Sequence, residues 1–260
     1  MIIYIIFICL VLIILYYIHP IFTNYTSNIQ IPKKIFQTWH TIDLPPIMKQ
    51  CTQKLQEDNP EFEYYLYDDQ ECRKFIEEHF EISILQSYDS LIPGAFKADL
   101  WRYCVLYIHG GIYLDIKYQC ENGFKLTRLL TDSSSWVNED DKQVIYTGLL
   151  VCEPKNAKMW KSIQQLVKNV KNKYYGRECT SPTGPDLFGK YFTEYEKSKI
   201  HYYYYDERYP NSDLEKRGFI KDLNTGQIIL SHYPEYRIEQ KQFAKTEYWQ
   251  DLWRKRNIYI

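Results

Sequence analysis

The chain has 260 residues, enough for one sizeable folded domain. Its 32 basic and 33 acidic residues give a formal net charge of −1, a balance that argues against a nucleic-acid-binding protein. None of the seven cysteines belongs to a C-x-x-C pair, so the sequence also argues against a zinc site of that type.

The N-terminus is a continuous apolar segment. Residues 2–18 contain no charged side chain, and a helix of that length rises about 25 Å, close to the thickness of a hydrocarbon core. A secretory signal peptide would need a basic region before the apolar one and a small-residue cleavage site after it, and neither is visible. We therefore predict a single-pass transmembrane anchor over residues 1–18, a polar stem over 19–30 and one domain over 31–260.

Strands and helices alternate in the first part of that domain. The residue patterns predict strands over 33–39 and 62–67, and helices over 45–57 and 70–80. Asp68 or Asp69 is suited to cap the second helix. This alternation is typical of an α/β fold, for which we expect a mixed, mostly parallel central sheet.

The most informative stretch is residues 93–120. Apolar residues at helical spacing predict a helix over 95–108, and two glycines, Gly110 and Gly111, end it. A short apolar run over 112–114 then predicts a buried strand.

Three charged residues accompany this helix and strand. Asp115 follows the strand directly, and ligands of open α/β sheets bind at the carboxyl ends of strands. Asp99 and Arg102 are three residues apart and therefore share one face of the helix. They form either an internal ion pair or, together with Asp115, one wall of a ligand pocket. The spacing leaves both interpretations open.

The second half of the chain has shorter patterns. Its polar composition predicts a mobile loop over 122–142. The remaining predictions are strands over 143–153, 200–205 and 227–232, helices over 156–173 and 243–256, and a turn over 180–187 that enters a helix at Pro185.

The sequence resembles a known family at three places. Residues 98–115 fit A-D-L-W-R-Y-x-x-L-Y-x-x-G-G-I-Y-L-D, residues 31–39 read I-P-K-K-I-F-Q-T-W, and residues 183–186 read T-G-P-D. These motifs resemble the DXD-containing sugar-binding glycosyltransferases, which include fungal initiating α-1,6-mannosyltransferases and capsular polysaccharide glycosyltransferases. The resemblance implies a GT-A-type fold over 31–260 that transfers a hexose from a nucleotide-sugar donor to a glycan or other hydroxyl acceptor, with retention.

The resemblance also implies roles for individual residues. The expected donor-binding residues are Trp39, Asp99, Arg102, Tyr113, Asp115 and Gly184. The expected catalytic residues are Asp115 and Asp186, to which we add Lys117 on its charge and position and not on the resemblance, and the expected metal ligands are Asp115 and His232.

Three of these residues also have a structural interpretation. Trp39 is either a stacking platform for the nucleobase or part of the core. Asp186 is either an acceptor-side acid or an ordinary acid in a first helical turn. His232 is either a metal ligand or a structural histidine.

One departure from the family pattern concerns the metal. The motif usually continues D-x-D, but this chain reads Asp115-Ile116-Lys117, and a protonated lysine cannot ligate Mn²⁺ or Mg²⁺. Either Asp115 and another group, such as His232, still hold a metal, or the Lys117 ammonium supplies part of its charge. Side chains two apart on a strand share a face, which would place Lys117 beside Asp115.

The location of the domain and its activity each have a rival interpretation. Resemblance to Golgi transferases implies a lumenal domain in the Golgi or ER, whereas the two lysines after the apolar segment, Lys33 and Lys34, favour a cytoplasmic one. The altered D-x-D motif is also compatible with an inactive protein that binds a nucleotide sugar or a glycan.

Overall fold

A computed structural model describes residues 30–131, 133–139, 144–207 and 217–260, and for Asp206, Glu207 and Arg217 it describes only the backbone. The predicted anchor over 1–18 and nearly all of the predicted stem lie outside the described residues. Residues Ile31–Ile260 form one compact unit. Within the described ranges, no helix combines the length and the apolar character needed to cross a bilayer.

The described chain contains both helices and strands throughout its length. The helices are α1 (Pro46–Asp58), α2 (Asp69–His79), α3 (Ile82–Ser90), α4 (Gly94–His109), α5 (Ala157–Lys171), α6 (Pro185–Gly189), α7 (Glu194–Ser198), α8 (Tyr236–Gln242) and α9 (Trp249–Arg254). The strands are β1 (Lys34–Thr38), β2 (Glu63–Tyr67), β3 (Gly111–Leu114), β4 (Tyr118–Cys120), β5 (Ser135–Glu139), β6 (Ile145–Cys152), β7 (Tyr202–Glu207), β8 (Arg217–Asp222) and β9 (Gln227–His232).

The strands of the described ranges form one mixed sheet in the order β2-β1-β3-β6-β5-β7-β8-β9-β4. The α/β class is confirmed, but the prediction of a mostly parallel sheet is wrong. The pairs β1–β2, β1–β3 and β5–β7 are parallel, whereas the other five pairs are antiparallel. Short connections such as the one between β8 and β9 permit only antiparallel pairing, and they dominate the second half of the chain.

The prediction of a polar loop over 122–142 is wrong in part. A short 3₁₀ helix occupies Leu126–Leu129, and β5 follows inside the sheet between β6 and β7. Val137 and Asn138 of this strand are buried. Sheet pairing on both sides therefore overrides the polar composition of the segment.

The sheet separates two apolar cores because neighbouring side chains of a strand point to opposite faces. On one face, Phe36 and Tyr113 pack with the apolar side of α4, which includes Leu100 and Trp101. On the other face, Ile35, Ile112 and Leu114 pack with Leu55 of α1 and with the 3₁₀ segment. The strand β3 is therefore covered on both faces, and only its ends are accessible.

Two glycines make the sharp passage from α4 into β3. Gly110 and Gly111 have φ angles of 63° and 99°, a region that favours glycine. A Cβ on Gly110 would lie 2.6 Å from Pro154, and a Cβ on Gly111 would lie 2.7 Å from the carbonyl oxygen of Lys34. The turn therefore requires glycine for both conformation and space, and it delivers β3 directly into the sheet.

A buried carboxylate joins the C-terminal part of the chain to α1. Pro45, the residue before α1, offers no side-chain cap. Instead, Glu239 of α8 accepts hydrogen bonds from the backbone N–H groups of Ile47 and Met48, both at 2.9 Å, and from the hydroxyl of Tyr233 at 2.9 Å. Glu239 thereby satisfies two amide donors at a helix N-terminus and holds α8 against α1.

We expect Glu239→Gln to destabilise the domain, because the amide replaces an acceptor oxygen with a donor group facing the N–H groups of α1. The expected loss is about 2 kcal/mol, or a melting temperature lower by about 4–8 °C. Glu81→Gln is the matched control, since the Glu81 side chain makes no capping bond to α3. Scanning fluorimetry of the full chain measures both variants, and equal melting temperatures would contradict the role given to Glu239.

Candidate active site

The candidate site lies where β3 ends. The backbone N–H of Asp115 donates to the carbonyl of Gly148 at 2.8 Å, and that of Tyr118 donates back to the carbonyl of Asp115 at 3.2 Å. Residues 115–118 therefore form a tight turn between β3 and β4. The expectation that Asp115 and Lys117 share a face of one strand is wrong, but the turn still brings their side chains together.

The Asp115 carboxylate is bound on three sides. Its Oδ2 lies 2.8 Å from the Lys117 ammonium, and its Oδ1 accepts a 2.7 Å hydrogen bond from the hydroxyl of Tyr113. Arg102 Nη2 lies 3.5 Å from the same Oδ1. Three of the residues predicted from the sequence thus converge on Asp115.

Arg102 occupies the inside of the site. Its Nη1 donates to the carbonyl of Thr147 at 2.7 Å and lies 3.4 Å from Asp99 Oδ1. The guanidinium also lies over the ring of Tyr113, 4.3 Å from its centroid. One buried cation therefore links α4, β3 and β6 at the point where β3 ends.

Asp99 connects this cluster to the turn that precedes α6. The hydroxyl of Thr183 donates to Asp99 Oδ2 at 2.6 Å, and the hydroxyl of Tyr103 donates to the carbonyl of Thr183 at 3.0 Å. Gly184 comes close because it lacks a side chain: a Cβ there would lie 3.3 Å from Asp99 Oδ2. The T-G-P-D motif, distant in sequence, therefore lies beside Asp99 in the folded chain, and the donor-binding role of Gly184 stays a prediction.

Burial and pairing shift the pKa values within the cluster. Burial is the largest influence on Asp99 and raises its pKa, against the opposing effects of Arg102 and the Thr183 hydrogen bond. Burial also acts to raise the pKa of Asp115, but Lys117 and Arg102 outweigh it, and that pKa lies below its ordinary value. Burial lowers the pKa of Lys117, and the Asp115 carboxylate opposes this change. Of the two carboxylates, Asp115 is therefore the one whose charged form the neighbouring cations favour most clearly.

Trp39 lies beside the turn that carries Asp115. It follows β1 and packs in a small apolar cluster that contains Ile116, Met48 and Tyr236. Its indole N–H has no hydrogen-bond partner among the described residues, and the side chain is only partly buried. The position agrees with both interpretations of Trp39, because the ring contributes to packing while part of it faces outward.

Asp186 is held within its own turn. Its Oδ2 accepts hydrogen bonds from the hydroxyls of Thr180 at 2.5 Å and Ser181 at 3.1 Å. These contacts fix the turn that presents Thr183 and Gly184 to Asp99. They are the contacts of a structural acid, and the acceptor-side role of Asp186 stays a prediction.

His232 lies at the end of β9, paired with Tyr118 of β4, and is buried. Its Nδ1 accepts a hydrogen bond from the backbone N–H of Gly218 at 3.1 Å. Its ring packs 5.0 Å from the centroid of Tyr118 and 5.8 Å from that of Tyr236. The structure thus gives His232 an aromatic environment and a backbone partner, and its role as a metal ligand stays a prediction.

The described side chains do not fit a divalent metal held in the D-x-D manner. Among them, no group of three or more His, Cys, Asp or Glu residues is arranged to hold a metal ion. Both oxygens of Asp115 already face other groups, and the second ligand position carries the Lys117 ammonium. A protonated lysine has three donors and no lone pair for a metal.

Sequence reasoning missed several residues that hold the cluster in place. Gln37, fully buried in β1, lies with its amide nitrogen 3.4 Å from the carbonyl of Asp115. Thr147 and Tyr103 supply a carbonyl and a hydroxyl from β6 and α4. No pattern in the sequence distinguished Gln37, because β1 also contains the polar residues Lys34 and Thr38. The backbone contact of Thr147 left no signal in the sequence.

Comparison with known families finds a match at this site. The family described as glycosyltransferase sugar-binding region containing DXD motif matches residues 45–141. That range includes α4, β3 and the turn with Asp115 and Lys117, which are the elements that form the cluster.

Comparison with curated proteins finds fungal relatives. Inositol phosphoceramide mannosyltransferases 3 and 2 of Schizosaccharomyces pombe are 36% and 32% identical, over 40% and 55% of this chain and 28% and 40% of their own length. The initiation-specific alpha-1,6-mannosyltransferase of Candida albicans is 31% identical over 35% of this chain and 26% of its own. The chain thus spans between about a quarter and two fifths of each of these relatives. A solved structure titled PaToxG Glycosyltransferase matches 62% of this chain and 67% of its own, with 16% identity and a TM-score of 0.49.

Proposed function

We propose that this chain belongs to the glycosyltransferase family whose sugar-binding region contains the DXD motif, which matches residues 45–141, and that it transfers a hexose from a nucleoside diphosphate sugar to a hydroxyl acceptor. The observation that carries the proposal is the convergence of Asp99, Arg102, Tyr113 and Asp115 at the end of β3. An ionised carboxylate at the mouth of a preformed polar cluster is suited to accept hydrogen bonds from sugar or ribose hydroxyls.

The reaction sets the requirements that the site has to meet. The bond between sugar C1 and the diphosphate oxygen breaks, and its electron pair moves to the diphosphate. The acceptor oxygen forms the new bond to C1, and its proton leaves with the nucleoside diphosphate. Catalysis therefore requires positive charge near the leaving diphosphate and a fixed approach for the acceptor hydroxyl. By resemblance, we propose that the configuration at C1 is retained.

We propose mannose as the transferred sugar. The support is that the three fungal relatives compared above are all named as mannosyltransferases. Two of those names specify inositol phosphoceramide, so a phosphoinositol lipid and a mannan oligosaccharide are the two acceptors to test first. In the same proposal, Trp39 stacks on the donor nucleobase, because part of its ring faces outward beside Ile116.

A second candidate function is binding without turnover. The observation that favours it is the 2.8 Å ion pair between Lys117 and Asp115, which occupies the position of the D-x-D metal ligands. A protein that had lost its metal site would keep the donor-binding cluster and lose transfer. Donor binding without hydrolysis or transfer distinguishes this candidate from the enzyme.

We further propose that the domain is anchored in a membrane by residues 2–18, with a lumenal location in the Golgi or ER. The support is the continuous apolar sequence and the resemblance. We expect the full chain, expressed in yeast, to stay in the membrane fraction during alkaline extraction, and a form without residues 2–18 to be released. Release of both forms would contradict the anchor.

The donor prediction is tested with the full chain and four donors: GDP-mannose, UDP-glucose, UDP-galactose and UDP-N-acetylglucosamine. We expect GDP-mannose to raise the melting temperature by mass action and to be hydrolysed slowly or transferred to one of the two acceptors. We expect Asp115→Asn to lower turnover about 100-fold or more, because a neutral amide cannot balance the two cations beside it. Asp89→Asn, which changes an exposed ion pair with Arg73, is the matched control and is expected to leave turnover unchanged.

Each outcome of this experiment has a clear consequence. Stabilisation and turnover with a donor other than GDP-mannose would contradict mannose and keep the transferase. Stabilisation without turnover would favour the binding protein. An absence of any shift with all four donors would contradict the proposed function, and Asp115 would be the first assignment to discard.

A further inference from the structure

We propose that Lys117 takes the place of the divalent metal, so that this site stabilises the leaving diphosphate with an ammonium group and works without a metal. The inference rests on the proposed function. It concerns the second acid of the D-x-D motif that the family description names, a position that Lys117 occupies in this chain. Its basis is that the motif has a second acid at the position where this chain has Lys117.

The ammonium is in the right place for this role. Lys117 Nζ lies 2.8 Å from Asp115 Oδ2, so the turn between β3 and β4 holds it against the carboxylate that would otherwise contact a metal. Its backbone carbonyl accepts a 3.0 Å hydrogen bond from the N–H of Tyr233, and its Nζ lies 5.6 Å from the ring centroids of Tyr118 and Tyr146. Backbone and side chain are therefore both fixed.

Charge balance supports the replacement. Two carboxylates with one divalent cation have no net charge, and Asp115 with the Lys117 ammonium has none either. The substitution therefore preserves the local charge that a donor meets, although the ion is now covalently part of the chain. A lysine ammonium also keeps three hydrogen-bond donors, of which the contact with Asp115 uses one, and the others are suited to phosphate oxygens.

The two cations of the cluster, Arg102 and Lys117, differ in the solvent exposure of their side chains. The Arg102 side chain is 7% exposed and is surrounded by Asp99, Thr147 and Tyr113, whereas the Lys117 side chain is 15% exposed and its partner Asp115 is 20% exposed. Of the two cations, Lys117 is therefore the more accessible to an incoming diphosphate. Arg102 acts behind it by holding Asp115 in position.

The test compares wild-type protein with Lys117→Met and Lys117→Asp, in excess EDTA and in excess Mn²⁺, after their melting curves have shown that all three fold. We expect wild-type turnover to be the same in both conditions and Lys117→Met to lose about 100-fold in both. Lys117→Asp restores a D-x-D motif, so we expect it to be inactive in EDTA and to regain activity about tenfold or more in Mn²⁺. Calorimetry with Mn²⁺ alone should show binding to Lys117→Asp and none to wild type.

Different results would contradict this inference and the proposed function. Wild-type activity that disappears in EDTA and returns with Mn²⁺ would overturn the role of Lys117 and keep the transferase. Mn²⁺ binding by wild type with the affinity of Lys117→Asp would overturn it as well. If no protein turns over any donor in either condition, and no donor raises the melting temperature, the proposed function itself fails.

Discussion

The buried guanidinium of Arg102 is the interaction on which the site depends. It contacts Asp99 on its own helix, the carbonyl of Thr147 on β6 and the carboxylate of Asp115 after β3. A charge in this position is stable only with all its partners, because removing one member of a buried ionic group costs about 3–5 kcal/mol. The contacts that offset the cost of burying Arg102 also fix the orientation of the Asp115 carboxylate. The folding of the chain therefore determines the geometry of the site.

Gly110, Gly111 and Glu239 lie outside this cluster and help to hold its elements in place. Gly110 and Gly111 let β3 enter the sheet directly after α4, which keeps Arg102 within reach of Asp115. Glu239 holds α8 against α1, and α8 contributes Tyr236, which packs with Ile116 of the turn. The turn that carries Asp115 and Lys117 is thus supported by the sheet on one side and by the C-terminal segment on the other.

The sequence predicted those parts of the fold that depend on local patterns. The helix α4 and its glycine ending, the capped helix α2 and the strand β9 lie where spacing and capping residues indicated. The strands β5 and β8 and the antiparallel majority of the sheet were missed, because pairing with distant strands decides them. Within the site, the spacing of Asp99 and Arg102 predicted their pairing. The hydrogen bond from Thr183 joins residues 84 apart, and only the folded chain reveals it.

Of the two interpretations of the charged helix face, the structure shows the internal ion pair between Asp99 and Arg102, and the pocket wall stays a prediction. The cluster itself has an inner and an outer part. Arg102 and Asp99 form the inner part, where loss of hydration makes exchange of partners unfavourable. Asp115 and Lys117 form the outer part, where partial exposure lowers the cost of exchanging an ionic partner. Lys117 is therefore the cation of the cluster that is more accessible from outside, and the inner pair lies behind it. A site in which the charged groups are already held in place by the fold does not have to reorganise them when a charged ligand arrives.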